Sequence, residues 1–216
     1  MSRAAGSELV AALPDPLPAP VVQVVEVGHS VLVLGSRQGV ETADAAAAQA
    51  AGVDVVRRHS GGGAVLLHPG RSLWLDVLLP RSHELWSDDV ALAFHWLGEV
   101  WVDALADVGV DAAVHRGGLD KTPWGSLICF GSIGPGEVSV DGRKVVGMSQ
   151  RRTRGGARFQ CLVHDAWVPD ELLNLLALTP DERAAAAEDL LPRAAGPGAP
   201  LADLEESVLT RLGQLG

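Results

Sequence analysis

Hydrophobic positions along the chain fall into short runs separated by polar turns and one longer periodic stretch. Val21-Val22-Gln23-Val24-Val25-Glu26-Val27 is β-branched and predicts a strand. Val31 to Gly35, Val53 to Arg57, Ala64 to Leu67, Leu73 to Leu79, Ser126 to Phe130 and Arg158 to Val163 are further runs of strand length. His68-Pro69-Gly70 predicts a turn between two of them. Glu41 to Ala51 is Ala-rich and predicts a helix stopped by Gly52. Asp89 to Val108 places Val90, Phe94, Leu97, Trp101 and Leu105 at helical spacing and meets Gly109. Glu171 to Leu178, Asp181 to Leu190 and Leu201 to Leu212 predict three more helices. Val138 and Val140 alternate into Asp141-Gly142, after which Val145-Val146 resumes the apolar pattern; Asp-Gly between two such runs is a strong hairpin signal. Strands alternating with single helices, plus a hairpin, predict an α/β (α+β) fold with a mixed sheet.

The length of 216 residues suits one large domain. Residues 1–20 are Ala- and Pro-rich and punctuated by Pro14, Pro16, Pro18 and Pro20, which predicts a flexible leader followed by a single domain over 21–216. Pro192 to Pro200 reads as a linker-like stretch. The net charge of −10 argues against a general nucleic-acid binder, whose footprint is basic. The two cysteines, Cys129 and Cys161, are too few for a disulfide framework. The N-terminus lacks the sustained apolar run of a signal peptide, and no run reaches the length of a membrane span, so the expected location is cytoplasmic.

Two stretches carry candidate chemistry. In Arg57-Arg58-His59-Ser60-Gly61-Gly62-Gly63-Ala64-Val65, three glycines let a ligand approach the main chain closely, and successive N–H groups can form an anion-binding concavity. Two arginines add positive charge. The stretch is not a P-loop, because no Lys-Ser or Lys-Thr follows, and it lacks the spacing of a dinucleotide fold. A glycine-rich turn between strands is the plainer alternative. The second stretch, Asp141 to Arg158, holds Arg143, Lys144, Arg151, Arg152, Arg154 and Arg158 with no acidic residue after Asp141. A solvated basic face would explain it, but Lys144 at a tight hairpin edge is a positioned ammonium able to stabilise charge on a carbonyl or phosphoryl oxygen.

The order of these motifs resembles the lipoate-protein ligase family, within the wider group of biotin ligases, lipoate ligases and octanoyltransferases. The matching text is Val55 to Val65 and Glu137 to Arg152, together with Val33-Leu34-Gly35-Ser36-Arg37-Gln38 upstream. The resemblance implies a mixed, largely antiparallel sheet flanked by helices. It also implies adenylation of lipoate or octanoate with ATP and Mg²⁺, then transfer of the acyl group to a lysine of a lipoyl domain of a 2-oxoacid dehydrogenase acyltransferase or of glycine-cleavage H protein. Carried over, Arg58, Ser60, Gly61, Gly62, Gly63, Ala64 and Gly147 would line the acyl and adenylate pocket. Lys144 would be the catalytic lysine, and Glu137 would assist metal or ribose binding. Arg151, Arg152 and Arg154 would form a basic rim that docks an acidic lipoyl domain.

The resemblance is incomplete. His68 stands one place later than the family's histidine, and Phe159-Gln160-Cys161 replaces the polar text that follows the second motif in many ligases. The chain is expected to lack the ligases' accessory C-terminal domain, so either a separate accessory subunit supplies that part or the chain does not run the full ATP-dependent reaction. Cys129-Phe130, fifteen residues before Lys144, resembles instead the subgroup of octanoyltransferases with a cysteine nucleophile. In that reading Cys129 takes octanoate from an acyl carrier protein as a thioester and passes it to the acceptor lysine. The plainer alternative is a buried strand cysteine. A third possibility keeps the fold as a non-catalytic binding protein for lipoate or a nucleotide.

Overall fold

The computed structural model describes residues 2–214. Ten strands and five α-helices are arranged in four layers. β1 (Ser2–Ala5), β2 (Val21–Glu26), β6 (Ser72–Pro80), β7 (Ala113–Val114), β8 (Val138–Val140), β9 (Arg143–Arg152) and β10 (Gly156–His164) form a seven-stranded sheet in the order β1-β2-β6-β10-β9-β8-β7. Only the β1–β2 pair is parallel. β3 (Val31–Leu34), β4 (Asp54–Arg57) and β5 (Val65–Leu67) form a second sheet in the order β4-β3-β5. The mixed, largely antiparallel architecture flanked by helices is the one the sequence predicted.

α2 (His95–Asp107) and α5 (Leu201–Gly213) cover the outer face of the large sheet, where Leu97, Trp101, Leu105, Leu204 and Val208 bury against Leu75, Val77, Phe159 and Cys161. The small sheet packs on the opposite face. α1 (Ala45–Ala51), α3 (Pro169–Leu173) and α4 (Pro180–Leu190) close its outer side. The four residues of β3 are all buried because the strand has a core on both faces. Leu32 and Leu34 turn toward the helices, whereas Val31 and Val33 turn toward Trp74 and Leu162 of the large sheet. Helix ends follow local chemistry. The Asp44 carboxylate accepts from the Ala46 and Ala47 N–H groups, Gly52 closes α1 at φ 65°, and Thr179 with Glu182 forms a capping box on α4.

Beyond shifted helix ends, with α1 starting at Ala45, α2 at His95 and α3 stopping at Leu173, three expectations differ from the structure. Ser2–Ala5, expected to belong to a flexible leader, pairs in register with Gln23 to Glu26, and Leu9 is buried between the layers. Ser126 to Phe130 is not a strand. Leu127 and Ile128 N–H groups both turn back to the Trp124 carbonyl, Cys129–Gly131 forms a single 3-10 turn, and only Ile128 bridges to Ala64. Flanking Gly125 and Gly131 permit this tight path, and burial of Ile128 explains the apolar signal without a ladder. The linker-like stretch is also committed: Lys144 N–H donates to the Arg193 carbonyl (2.8 Å), and Ala195 N–H donates to the Lys144 carbonyl (3.0 Å).

Candidate active site

β4 leads directly into the glycine loop, where Ser36 N–H donates to the Ser60 carbonyl (2.9 Å) beside the end of β3. Arg58, only 2% exposed, folds back beneath its own loop. Its guanidinium donates to Ser60 Oγ (3.0 Å), to the carbonyls of Gly61 (2.8 Å) and Gly63 (2.9 Å), and to the Val33 carbonyl (3.3 Å). Desolvation holds the Arg58 pKa below the usual arginine value, with the nearby Cys129 sulfur acting in the opposite direction. A peptide group is planar and trans, so turning the Gly61 carbonyl toward Arg58 aims the Gly62 N–H the other way. Among the described residues the N–H groups of Gly61, Gly62 and Gly63 have no acceptor.

The three glycines are not equivalent. Gly62 has φ 92°, closed to most L-residues. A Cβ on Gly63 would lie 2.5 Å from Ile128 N, so its absence lets the loop abut the Cys129 turn. Gly61 meets nothing within 4 Å. Ser60 Oγ donates to Gln160 Oε1 (2.6 Å) and lies 3.0 Å from Ser149 Oγ, which ties the loop to β9 and β10.

The next segment is stitched to this loop. Ala64 N–H donates to the Leu127 carbonyl (2.8 Å) and Cys129 N–H to the Ala64 carbonyl (3.1 Å). Gln38 bridges from below, accepting from Gly35 N–H (2.8 Å) and donating to the Leu127 carbonyl (2.9 Å). Cys129 thereby stands at the start of its 3-10 turn, half-buried, lining the same cleft as Gly62 and Gly63.

Lys144 arrives from the hairpin. Asp141 (φ 50°) and Gly142 (φ 74°) both adopt left-handed angles, as a two-residue primed turn requires. The Lys144 ammonium, on a side chain 3% exposed, contacts Glu137 Oε1 (2.7 Å) and donates to the carbonyls of Cys129 (2.8 Å) and Ser132 (3.0 Å). An ammonium has three donors, so all three are engaged. Cys129 Sγ lies 4.0 Å from Nζ, and the Phe130 ring centroid lies 5.0 Å away. Glu137 is fixed in turn: Oε1 accepts from Met148 N–H and Oε2 from Gly134 N–H, both at 2.8 Å. A Cβ on Gly147 would lie 2.9 Å from Phe130 Cε2 and 3.2 Å from Lys144 Cε, so this glycine leaves room for both.

These parts surround a cleft of about 750 Å³ lined by Gly62, Gly63, Cys129, Ser132, Glu137 and Lys144, with Phe94, Leu119 and Met148 as apolar walls. The structure therefore brings both sequence stretches and Cys129 to one place. Arg58 and Ser60 brace the loop from behind and do not line the cleft. Arg151, Arg152 and Arg154 do not line it either: Arg151 and Arg154 are exposed, and Arg152 stacks on Trp86 (4.1 Å) and donates to the Ser87 carbonyl. His68 lies outside the cleft, with Nδ1 2.8 Å from Ser30 Oγ. Cys161 is wholly buried and its thiol is pushed up to about 12 by desolvation, so the two cysteines are chemically distinct. Sequence reading missed Ser132, Ser149 and Gln160, whose contribution depends on contacts between segments far apart in the chain.

Glu137 is the only carboxylate among the described residues lining the cleft, and both of its oxygens are engaged. That arrangement offers no free carboxylate to ligate the Mg²⁺ that the ATP-dependent reaction implies. The described residues hold no group of three or more metal-ligating side chains, and no helix among them is long and apolar enough to cross a membrane.

Comparison with known proteins places this architecture. The chain is 29% identical over 132 residues to octanoyltransferase LipM of Macrococcus caseolyticus, covering 58% of this chain and 47% of that protein. It is 34% identical over 116 residues to octanoyltransferase LipM of Kyrpidia tusciae, covering 52% and 42%. The chain thus spans less than half the length of the curated relatives it matches. Its fold matches a bi-partite lipoate protein ligase of Thermoplasma acidophilum, solved with its E2 lipoyl domain as a lipoylation system, with a TM-score of 0.71 and 18% identity over 91% of this chain and 71% of that one. A lipoate-protein ligase A bound with ATP gives a TM-score of 0.67 at 19% identity, over 91% and 72%. Residues 4–176 match the lipoyl protein ligase A/B catalytic domain, and the chain belongs to that family.

Proposed function

We propose that this enzyme is an octanoyltransferase that moves a medium-chain acyl group from a thioester donor, through Cys129, to a lysine of a lipoyl domain or H protein. The observation that carries this reading is that Cys129 lines the same cleft as Gly62 and Gly63, with its Sγ 4.0 Å from a buried ammonium. Its support from similarity is that the curated relatives are octanoyltransferases.

In the first step the Cys129 sulfur attacks the donor's thioester carbonyl. A new S–C bond forms, the donor's S–C bond breaks, and the proton from Cys129 ends on the departing thiol. The Gly62 N–H, turned away from Arg58, is a donor for the carbonyl oxygen as it gains charge; one such donor is worth roughly 10²–10³ in rate. Lys144 holds the Cys129 turn through two carbonyls and keeps a positive charge beside the sulfur. In the second step the acceptor amine attacks the acyl-cysteine carbonyl, the C–N bond of the amide forms and the C–S bond to Cys129 breaks. One amine proton returns to the Cys129 sulfur and any other goes to solvent.

The competing reading is the ATP-dependent ligase, favoured by the same open glycine N–H row, which suits an acyl adenylate as well as a thioester oxyanion. Intact mass of an apo lipoyl domain separates them. One reaction contains ATP, Mg²⁺ and lipoate or octanoate; the other contains octanoyl-carrier protein without ATP. Modification in the second, with an octanoyl adduct on this enzyme that is lost in Cys129→Ala, is the expected result. Modification in the first alone would overturn it in favour of the ligase.

A further inference from the structure

The mouth of the cleft carries charge that the transfer chemistry does not use. Arg37 and Lys121 line the cleft and are exposed, and neither has an ion-pair or hydrogen-bond partner among the described residues. Of the other exposed cations, Arg3 pairs with Glu26, Arg81 with Asp88 and Arg116 with Glu99. Arg57, Arg143, Arg151 and Arg154 are also unpaired, but they do not line the cleft. The cleft's one carboxylate, Glu137, is already neutralised by Lys144. In a chain of net charge −10, the opening to Cys129 is therefore locally positive. Leu119, 56% exposed, lines the same opening and offers an apolar contact next to the cations.

We infer that Arg37 and Lys121 bind the phosphate of a phosphopantetheine arm that delivers the acyl thioester to Cys129. The inference rests on the transferase reading and adds how the donor is recognised. Such an arm has an anion at one end, branched apolar carbons next to it and the thioester at the far end. Arg37 and Lys121, Leu119, and Cys129 are the matching groups of one cleft. Free thioesters lacking the phosphate would lose the two charged contacts while keeping the reacting group.

The test compares octanoyl-pantetheine with octanoyl-4′-phosphopantetheine as donors, reading Cys129 acylation by intact mass at several donor concentrations. In the unmodified enzyme the phosphorylated donor should have a KM lower by about tenfold, the scale of one charge-assisted hydrogen bond. In the double variant Arg37→Gln/Lys121→Gln the preference should collapse to about twofold, and the charge-keeping pair Arg37→Lys/Lys121→Arg should restore most of it. The preference should also shrink as salt rises. Equal use of both donors by the unmodified enzyme, or an unchanged preference in the glutamine variant, overturns the inference while leaving acylation of Cys129 intact. A double variant that instead loses ATP-dependent adenylate formation, with no effect on thioesters, assigns the cations to a nucleotide and overturns it as well. Failure of both donors to acylate Cys129 removes the transferase reading itself, and this inference with it.

Discussion

The two stretches that carry the chemistry, Arg57 to Val65 and Asp141 to Arg158, behave in opposite ways. In the glycine loop neighbouring residues serve one another: Arg58 binds the carbonyls of Gly61 and Gly63 and the hydroxyl of Ser60, all within five positions. In the basic stretch neighbours are sent apart. Lys144 goes into the cleft, Arg158 is buried and lies 3.4 Å from Asp76, Arg152 stacks on Trp86, and Arg143, Arg151 and Arg154 face solvent. Arg151 and Arg158 are register partners across β9 and β10, an unfavourable pair unless one charge finds another partner, and Arg158 does so. A loop collects consecutive side chains around one point, whereas a strand distributes them over two faces and several partners. A charge run on a strand is therefore not a surface until the structure sorts it.

The largest effect should come from the one residue of the basic stretch that enters the site. Lys144→Met is expected to abolish transfer. It should also destabilise the fold by roughly 3–5 kcal/mol, because Glu137 is left buried with no cation. Adding Glu137→Gln should recover part of the urea midpoint and none of the turnover. Near-normal activity in Lys144→Met would break the contrast between this lysine and its arginine neighbours.

Within the glycine loop, alanine substitutions should grade the three positions. Gly63→Ala forces the Cys129 turn to move and is expected to cost the most in both stability and acylation rate. Gly62→Ala should cost about 1–2 kcal/mol for its left-handed backbone. Gly61→Ala should stay within about 0.5 kcal/mol, since it meets open space. Equal effects at all three would remove the idea that each glycine answers a different constraint.

His164, packed 5.0 Å from the Phe130 ring, sharpens the comparison through pH. Burial lowers its pKa from 6.5 to about 4, so the folded state holds it neutral where the unfolded chain would be protonated. Its stabilising contribution is present above about 6.5 and is lost progressively as pH falls toward 4, by roughly 3 kcal/mol in all. His164→Phe should flatten the chemical-denaturation stability profile across that window; an unchanged slope would show that other groups set it.

The smallest effects belong to the arginines outside the cleft. Arg152→Ala should lower stability by about 1 kcal/mol through loss of its stacking on Trp86. Arg151→Ala should leave stability alone and raise the KM for an acidic lipoyl-domain acceptor about twofold at low salt, an effect erased at high salt. A salt-independent KM would remove the basic rim from acceptor docking.

Much of the fold was legible because its signals are local. Asp141-Gly142 set its hairpin, Gly52 ended α1, and the run Val31 to Leu34 read as a strand before its second core face was known. The apolar run Ser126 to Phe130 misled for the complementary reason. Its residues are apolar because Ile128 and Phe130 are buried, not because they form a ladder, and turn geometry around Gly125 and Gly131 overrode strand propensity.

By itself the sequence determined the family-level architecture and the candidate chemical groups: the glycine loop, Lys144, Glu137 and Cys129. Glycine spacing and turn chemistry are properties of consecutive residues, and consecutive residues are what a sequence displays. Only the tertiary structure decided how those groups act. It placed Arg58 behind the loop rather than in the cleft, gave Glu137 to Lys144, and set Cys129 Sγ 4.0 Å from that lysine's ammonium. The physical reason is that hydrogen bonds and ion pairs between residues far apart in the chain depend on how the sheets pack and which strands are in register, and neither is encoded in the spacing of any one motif.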